Sequence, residues 1–358
     1  MLIVGEVHTG LLRGRDPVAG DVARSLVDLV SGEPVLVSER PRSCVCSPGR
    51  PVGVDCPLDS GGSGRQVRGI GTVIQRAAIT DGHVLQGSAY VTLDKAAQSA
   101  RQPWSHYLAR PGVVETIGRT RWSDLAESFA AARPPGAALD LGGIAGQAAD
   151  RVQQSVRVQQ SVRVQQSVRV QQSIQSQPGA RDPVRPRLRA ARTRLRWIVE
   201  ITLPEPGGSP NPPEPGGSGA APVPLTPAAV QFVVRREAVH GDEARVLRFH
   251  ARPDAVPGRL AAVAEDVALH DWLLTALLEI MRKAAIGVLP REEAIERLLP
   301  AIDYLMHLWL PGARGDALSD RVWAALESRA GLSRHWDLLV NRIRDQLAVA
   351  GLHPAVRQ

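Results

Sequence analysis

Two aspartate–histidine pairs in the last third of the chain have residue types and spacings suited to acid–base or metal chemistry. Asp266 and His270 are four residues apart, and Asp303 and His307 repeat that spacing. On a helix, residues four apart lie on the same side. Two facing helices would then offer four ligands to a metal ion, or a carboxylate and an imidazole to a proton transfer.

The structural alternative for these residues is an Asp–His hydrogen bond that fixes one helix in the core. Asp266 and His270 fall inside the apolar face of their predicted helix, where burial without a partner is costly. Asp303 and His307 project to the flank of theirs, and Pro300 leaves that register open. We treat the four as a candidate polar site, favour the structural interpretation and predict no metal.

A second candidate is a pocket lined by Trp104, His106 and Tyr107, which cluster in a chain that is poor in aromatic residues. A loop packed on the sheet explains the cluster equally simply, and we favour it. The two candidates would form one ligand-binding or catalytic site if the domains that carry them face each other across a cleft.

A stripe of arginines at Arg192, Arg194 and Arg196 is the third candidate, as a contact for anions or for an acidic partner. Residues 151–198 hold eleven arginines and one acid, so that segment contributes +10 and the rest of the chain sums to −3. Aromatic residues interleaved with the arginines would favour nucleic-acid binding, but Trp197 is the only one beside the stripe. We therefore favour ion pairs between these arginines and acids of a neighbouring strand.

Other chemical motifs are incomplete. Asp59-Ser60-Gly61-Gly62 resembles the nucleophile segment of chymotrypsin-like proteases, but Leu58 replaces the expected glycine and no histidine segment precedes it. The same loop lacks the Gly-Lys-Ser/Thr of a phosphate-binding loop. Cys44, Cys46 and Cys56 form no even disulfide set and lack a fourth zinc ligand, so we expect reduced thiols. The sequence identifies no cofactor.

A perfect hexapeptide repeat, three copies of RVQQSV followed by RVQQSI, occupies residues 151–174. Its valines alternate with a period of two, but a strand of this length would reach about 80 Å with no turn residue. Wound as a helix, the valines spread around the whole circumference. We predict an insertion over 151–184 that is disordered or a marginal helix extending from Leu141.

The remaining pattern predicts an α+β fold. We expect a mixed α/β sheet domain over 1–150, with a hairpin at Asp81-Gly82, and further strands over 185–252 that complete its sheet around a Pro- and Gly-rich loop at 204–227. Residues 253–352 predict a four-helix all-α bundle. We find no membrane span or signal peptide and expect a cytoplasmic protein.

Several segments resemble an uncharacterised family of actinobacterial cytoplasmic proteins, and the resemblance covers most of residues 1–147 and 185–350. The segments are RGIGTVIQRAAITDGHVLQ (68–86), PWSHYLARPGVVETIG (103–118), RAARTRLRW (189–197), EDVALHDWLL (265–274) and HLWLPGAR (307–314). Members are encoded near a variant P-loop protein and a methyltransferase-like protein. The resemblance therefore implies work in a multi-protein system, but it carries over no catalytic residue.

From these patterns we predict that the protein is a non-enzymatic interaction or regulatory component that binds proteins encoded in the same gene neighbourhood. The alternative is an enzyme or ligand-binding protein with a site between the α+β domain and the helical bundle. A second alternative is nucleic-acid binding through Arg192, Arg194 and Arg196, which would weaken steeply with salt.

Overall fold

The structure, a computed structural model, describes residues 1–12, 17–28, 33–39, 42–59, 67–98, 100–131, 139–173, 192–201, 230–236, 243–284, 290–312 and 317–352. The protease-like Ser60-Gly61-Gly62 segment, residues 185–191 and the 204–227 loop lie outside the described residues.

Ten described strands form one mixed sheet. They are β1 (Leu2–Leu11), β2 (Leu36–Ser38), β3 (Cys44–Cys46), β4 (Arg50–Leu58), β5 (Val67–Thr80), β6 (Val84–Lys95), β7 (Val113–Ile117), β8 (Thr193–Ile201), β9 (Val230–Arg236) and β10 (Glu243–Ala251). Their order is β2-β3-β5-β7-β6-β1-β8-β10-β9, and β4 also pairs with β5. The α+β content predicted from the sequence is confirmed.

The predicted hairpin joins β5 to β6. Asp81 and Gly82 both have positive φ, at 51° and 66°. That conformation suits Gly and tolerates Asp, which is why this dipeptide marks tight hairpin turns. The strands beyond the repeat enter the same sheet, because β8 pairs antiparallel with β1 and parallel with β10.

Helices cover both sheet faces. They are α1 (Gly20–Val27), α2 (Trp104–Leu108), α3 (Trp122–Ala130), α4 (Leu141–Ser173), α5 (Pro257–Ala284), α6 (Arg291–Pro300), α7 (Ala317–Arg329) and α8 (Leu332–Leu352). A π-helical turn (Ala301–Leu305) and a 3-10 turn (Met306–Leu308) follow α6. In the described residues, no helix has the length and apolar character needed to cross a membrane.

The hexapeptide repeat continues α4, so the predicted boundary at residue 150 falls inside a helix. α4 lies close to β6, where a Cβ on Gly87 would be 2.2 Å from the Ala145 carbonyl oxygen. Val152 and Val156, one turn apart in the first repeat, are buried in a core shared with α1. The sheet thus holds this helix and extends its packing into the repeat, which pattern analysis alone did not predict.

The C-terminal helices share their core with the sheet, which differs from the predicted separate bundle. One hydrophobic cluster joins Ile3, Trp197 and Phe249 of the strands to residues of α5, α7 and α8, such as Trp272. α5 therefore has an apolar surface on most of its circumference, because it lies between the sheet and the other helices.

Candidate functional site

Helix α5 carries Asp266 and His270, and it is buried on nearly every side. Almost every residue from Leu260 to Leu274 is buried, including Glu265, Asp266 and Asp271. A buried charge without a partner costs several kcal/mol, so each carboxylate needs a cation or hydrogen-bond donors. The contacts of these three acids decide whether the helix holds a reactive site or a structural one.

Asp266 is fully engaged by structural partners. Arg42, just before β3, donates to Oδ1 at 2.5 Å, and the indole N–H of Trp323 in α7 donates to Oδ2 at 2.9 Å. Arg42 also donates to the Leu308 carbonyl at 2.8 Å. The Asp266 carboxylate therefore joins α5 to α7 and to Arg42, and Arg42 in turn contacts the 3-10 turn.

His270 is buried as a neutral imidazole. Its Nδ1 lies 2.7 Å from the Asp266 carbonyl oxygen, and the Leu310 N–H donates to Nε2 at 3.2 Å. The carbonyl requires a proton on Nδ1, and the amide requires a lone pair on Nε2. Burial lowers the pKa of His270, although the nearby Asp266 carboxylate opposes that shift. Trp309 and Trp323 pack edge-on against the ring. Both ring nitrogens contact backbone groups of the protein, so they stabilise the fold.

His307 does not join this centre. Its side chain is 54% exposed, and its Nε2 lies 3.0 Å from Oδ2 of Asp81 in the β5–β6 turn. The side chain of Asp303 lies outside the described residues. Asp266 and His270, by contrast, have no exposed side-chain surface. Within the described ranges, no group of three or more potential metal ligands is present.

Glu265, which the sequence analysis did not single out, is the strongest polar anchor of α5. Arg76 of β5 forms a two-pronged ion pair with its carboxylate. The Ser88 hydroxyl donates to Oε1 at 2.5 Å, and the Gln86 amide donates to the Glu265 carbonyl at 2.9 Å. Two strands of the sheet thus bind one residue of the helix.

Asp271 is paired less well. Nε of Arg245 in β10 lies 2.6 Å from its Oδ2, but the two atoms are not aligned as a hydrogen bond. Burial raises the pKa of Asp271 to about 6, even though Arg245 acts in the opposite direction. The fold therefore opposes the ionisation of this acid.

The candidate pocket residues lie on the short helix α2, which precedes β7. His106 Nε2 is 2.8 Å from Oε1 of the buried Glu115, and Arg110 donates to the same oxygen at 2.9 Å. Trp104 packs edge-on against Tyr107 and is 40% exposed. His106 and Arg110 thus share the Glu115 carboxylate, which holds α2 against the sheet.

The pocket candidate and the α5 candidate share no partner among the described contacts. α2 packs against β5, whereas Asp266 is bound by Arg42 and Trp323. The two groups of candidate residues thus have separate partners in the described contacts. A cleft site that combines them stays a prediction from the sequence.

The arginine stripe is partly neutralised by acids. Arg194 donates to Oε1 of Glu6 at 2.9 Å, Arg196 lies 3.5 Å from Oε2, and Arg192 lies 3.6 Å from a carboxylate oxygen of Asp150. Burial alone would raise the pKa of Glu6, but His8 and the two arginines outweigh burial and lower it to about 2. Arg194 and Arg196 thus form the favoured ion pairs with a neighbouring strand, whereas the acid near Arg192 lies in helix α4.

A groove that no sequence pattern indicated runs along β9. It has a volume of about 330 Å³ and is formed by four consecutive strand residues and by the C-terminal part of α7 and the residue after it. The lining residues are Val230, Gln231, Phe232, Val233, Ala325, Leu326, Arg329 and Ala330. On the same strand, Val233 and Val234 are 38% and 49% exposed. An apolar strand at the sheet edge thus borders a concave surface.

Sequence reasoning missed Glu265, Arg76 and Arg42, although one signal was available. A helix with apolar residues around its whole circumference is buried, so its acids predict cationic partners elsewhere. The identity of those partners, and the strand that ends the sheet, depend on long-range pairing.

Comparisons with protein families, curated proteins and solved structures give no match to this chain.

Proposed function

We propose that this protein is a non-enzymatic interaction component of a multi-protein system, and that it binds an extended segment of a partner protein between β9 and α7. The proposal is carried by the position of β9. Among the described strands it pairs with β10 alone, and four of its consecutive residues line the groove together with α7.

The edge of β9 supplies main-chain recognition. In an antiparallel ladder, alternate residues direct their N–H and C=O groups to opposite sides of the strand, so β10 satisfies only part of them. An added strand would accept the rest, each hydrogen bond contributing ~0.5–1.5 kcal/mol. Val230–Val233 extends over roughly 13 Å at ~3.3 Å per residue, which corresponds to about four partner residues.

The groove walls supply side-chain recognition. Leu326 is buried and Phe232 is half-buried, so apolar side chains of the partner would be covered there. Arg329 is exposed at the rim and favours an acidic residue in the same segment. We therefore infer an extended segment that alternates apolar residues and carries at least one carboxylate.

A partner segment suits this groove better than a second copy of the chain. A second copy would have to offer its own β9, whose groove side is lined by its own α7. Proteins encoded near members of the resembled family, in the cytoplasm, are our proposed candidates.

The polar centre of α5 supports a role other than catalysis. Asp266, His270 and Glu265 each contact structural partners at hydrogen-bond distance, and those partners hold the helix to the sheet. A general acid or base needs a proton-accepting or proton-donating atom directed at a substrate. In the described contacts, these atoms are directed at protein groups.

Site-specific photo-crosslinking in host cells tests the proposal. A benzophenone amino acid replaces Val233 in β9 or, as a matched control, Val37 in β2, which is also an edge strand and is 40% exposed. We expect one protein to be crosslinked at 233 and not at 37. In the purified complex, hydrogen exchange of residues 230–236 should slow.

Three outcomes would contradict the proposal. One is equal crosslinking at the two positions, and another is crosslinking of position 233 only to a second copy of this chain. The third is a complex that forms without any slowing of exchange in β9.

A further inference from the structure

The two cysteines of β3 place their sulfur atoms side by side on one face of the strand. Cys44 and Cys46 flank the buried Val45, so the alternation of side chains along the strand directs both thiols to the opposite face. Their Sγ atoms are 3.5 Å apart, and both residues are partly exposed. Neither cysteine forms a disulfide. β3 thus presents two reduced thiols in contact with each other.

The spacing of the two cysteines is too wide for a disulfide but suits a single metal ion between the sulfurs. Residues two apart on a strand are ~6.6 Å apart and direct their Cβ atoms in parallel, so an S–S bond of ~2.05 Å would distort β3. An ion bound by both sulfurs at ~2.3 Å each needs them at most ~4.6 Å apart. At the observed separation of 3.5 Å, the angle between the two sulfur–ion bonds would be about 100°. Rotation about the two Cα–Cβ bonds can widen this angle while the strand stays in place.

The neighbouring strands hold β3 in position and leave its sulfurs accessible. β3 pairs with β2 on one side and with β5 on the other. In β5, Thr80 lies opposite Cys44, and its hydroxyl donates to the Cys44 sulfur at 3.8 Å. Ala78 lies opposite Cys46 and has only a methyl side chain. All three residues of β2 are exposed. The backbone is therefore fixed, whereas an ion can reach the two sulfurs from solvent.

The number of ligands limits the kind of ion that this pair can hold. In the part of the chain that the structure describes, no group of three or more potential metal ligands is present. Zn²⁺ in a structural site takes four protein ligands, so two thiols alone suit it poorly. A soft monovalent ion is satisfied by two thiolates, and thiolate ligands select Cu(I). The pair therefore fits Cu(I) better than Zn²⁺.

We propose that Cys44 and Cys46 bind one Cu(I) ion between their sulfur atoms. Each thiol loses its proton and forms one Cu–S bond, so binding releases two protons and gives a complex with one net negative charge. Copper stays in the monovalent state, and neither sulfur is oxidised. The site thus needs no ligand from the rest of the chain.

Anaerobic titration of the full-length, reduced protein with Cu(I) tests the proposal. Bicinchoninate, a chromogenic Cu(I) chelator, competes for the ion at equimolar concentration, and native mass spectrometry counts the ions on each chain. We expect the wild type and the control Cys56→Ser to hold one ion per chain, which Zn²⁺ does not displace. Cys44→Ser and Cys46→Ser should each bind at least about a hundredfold more weakly, because each removes one of the two ligands.

X-ray absorption spectroscopy of the Cu(I)-loaded wild type gives a readout that does not depend on the folding of the variants. Two sulfur neighbours and no nitrogen neighbour are expected around the copper. Complete loss of the ion from the wild type to bicinchoninate would overturn the proposal, as would wild-type affinity in both Cys44→Ser and Cys46→Ser. Loss of the ion in Cys56→Ser, one ion shared between two chains, or a nitrogen ligand on the copper would also overturn it.

Discussion

Helix α5 and strand β9 belong to the same hydrophobic core, but their polar groups differ in how they are paired within the protein. On α5, the buried carboxylates of Glu265 and Asp266 are met by arginines, hydroxyl and indole donors from other elements. On β9, backbone groups are met by β10 on one side, and valines remain exposed at the edge. Polar contacts inside the molecule thus hold α5 to the rest of the fold, whereas the proposed recognition uses an edge.

A second edge sharpens this contrast. β4 pairs with β5 alone among the described strands, and it carries Pro51 and Pro57, which have no N–H to offer an incoming strand. Proline is one of the devices that prevent edge-to-edge association. β9 has no proline along its seven residues. One edge is therefore protected, and the other is suited to accept a strand.

The largest effect should come from Asp266→Ala. It leaves the Arg42 guanidinium and the Trp323 N–H buried without their acceptor, and breaking a buried ion pair costs about 3–5 kcal/mol. Urea unfolding should record this loss in the free energy of unfolding. Asp337→Ala, an exposed position on α8, is the control and should change it by under about 0.5 kcal/mol. A loss below about 1 kcal/mol at Asp266 would show that the centre does not stabilise the fold.

A double-mutant cycle on Arg76 and Glu265 should show coupling. Arg76→Met alone leaves the Glu265 carboxylate buried without its cation and should cost about 3 kcal/mol. Combined with Glu265→Leu, most of that cost should disappear, because a well-packed apolar pair can replace a buried ion pair. Additive effects of the two changes would contradict the assigned pairing.

The pH dependence of stability should reveal Asp271. Its folded-state pKa, raised by burial to about 6 from an ordinary 3.8, means that the folded protein holds this proton more tightly than the unfolded chain. Stability from this group is present at low pH and is lost as pH rises through about 6. Relative to Asp271→Asn, the wild type should lose on the order of 3 kcal/mol across that window. Parallel curves for the two proteins would contradict this assignment.

The smallest effect on stability should come from the edge. Val233→Glu places a charge on a side chain that is 38% exposed, so the free energy of unfolding should change by under about 0.5 kcal/mol. Partner binding should nevertheless be lost, because the charge lies in the apolar groove. Val37→Glu in β2, at 40% exposure, should keep both stability and binding. Thermal unfolding and co-purification measure the two properties separately.

The sequence predicted local features well and pairing across the chain poorly. The Asp81-Gly82 turn follows from backbone sterics at adjacent residues, and the bounds of α5 follow from helix periodicity and its flanking breaks. The partner of Asp266 is Arg42, 224 residues away, and no spacing rule connects them. The four-residue spacing led us to favour a hydrogen bond between the Asp266 carboxylate and His270, but Nδ1 of His270 contacts the Asp266 backbone carbonyl at 2.7 Å and lies 3.8 Å from the carboxylate.

Native mass spectrometry of the protein, purified gently from its own host without chelators, tests the central claim most directly. Wild type, Val233→Glu and Val37→Glu are compared, and every co-purifying protein, metal and small molecule is recorded. The account predicts one stoichiometric protein partner with the wild type and Val37→Glu, and none with Val233→Glu. A partner retained by Val233→Glu, or a bound metal or metabolite that is lost on His270→Ala, would contradict it.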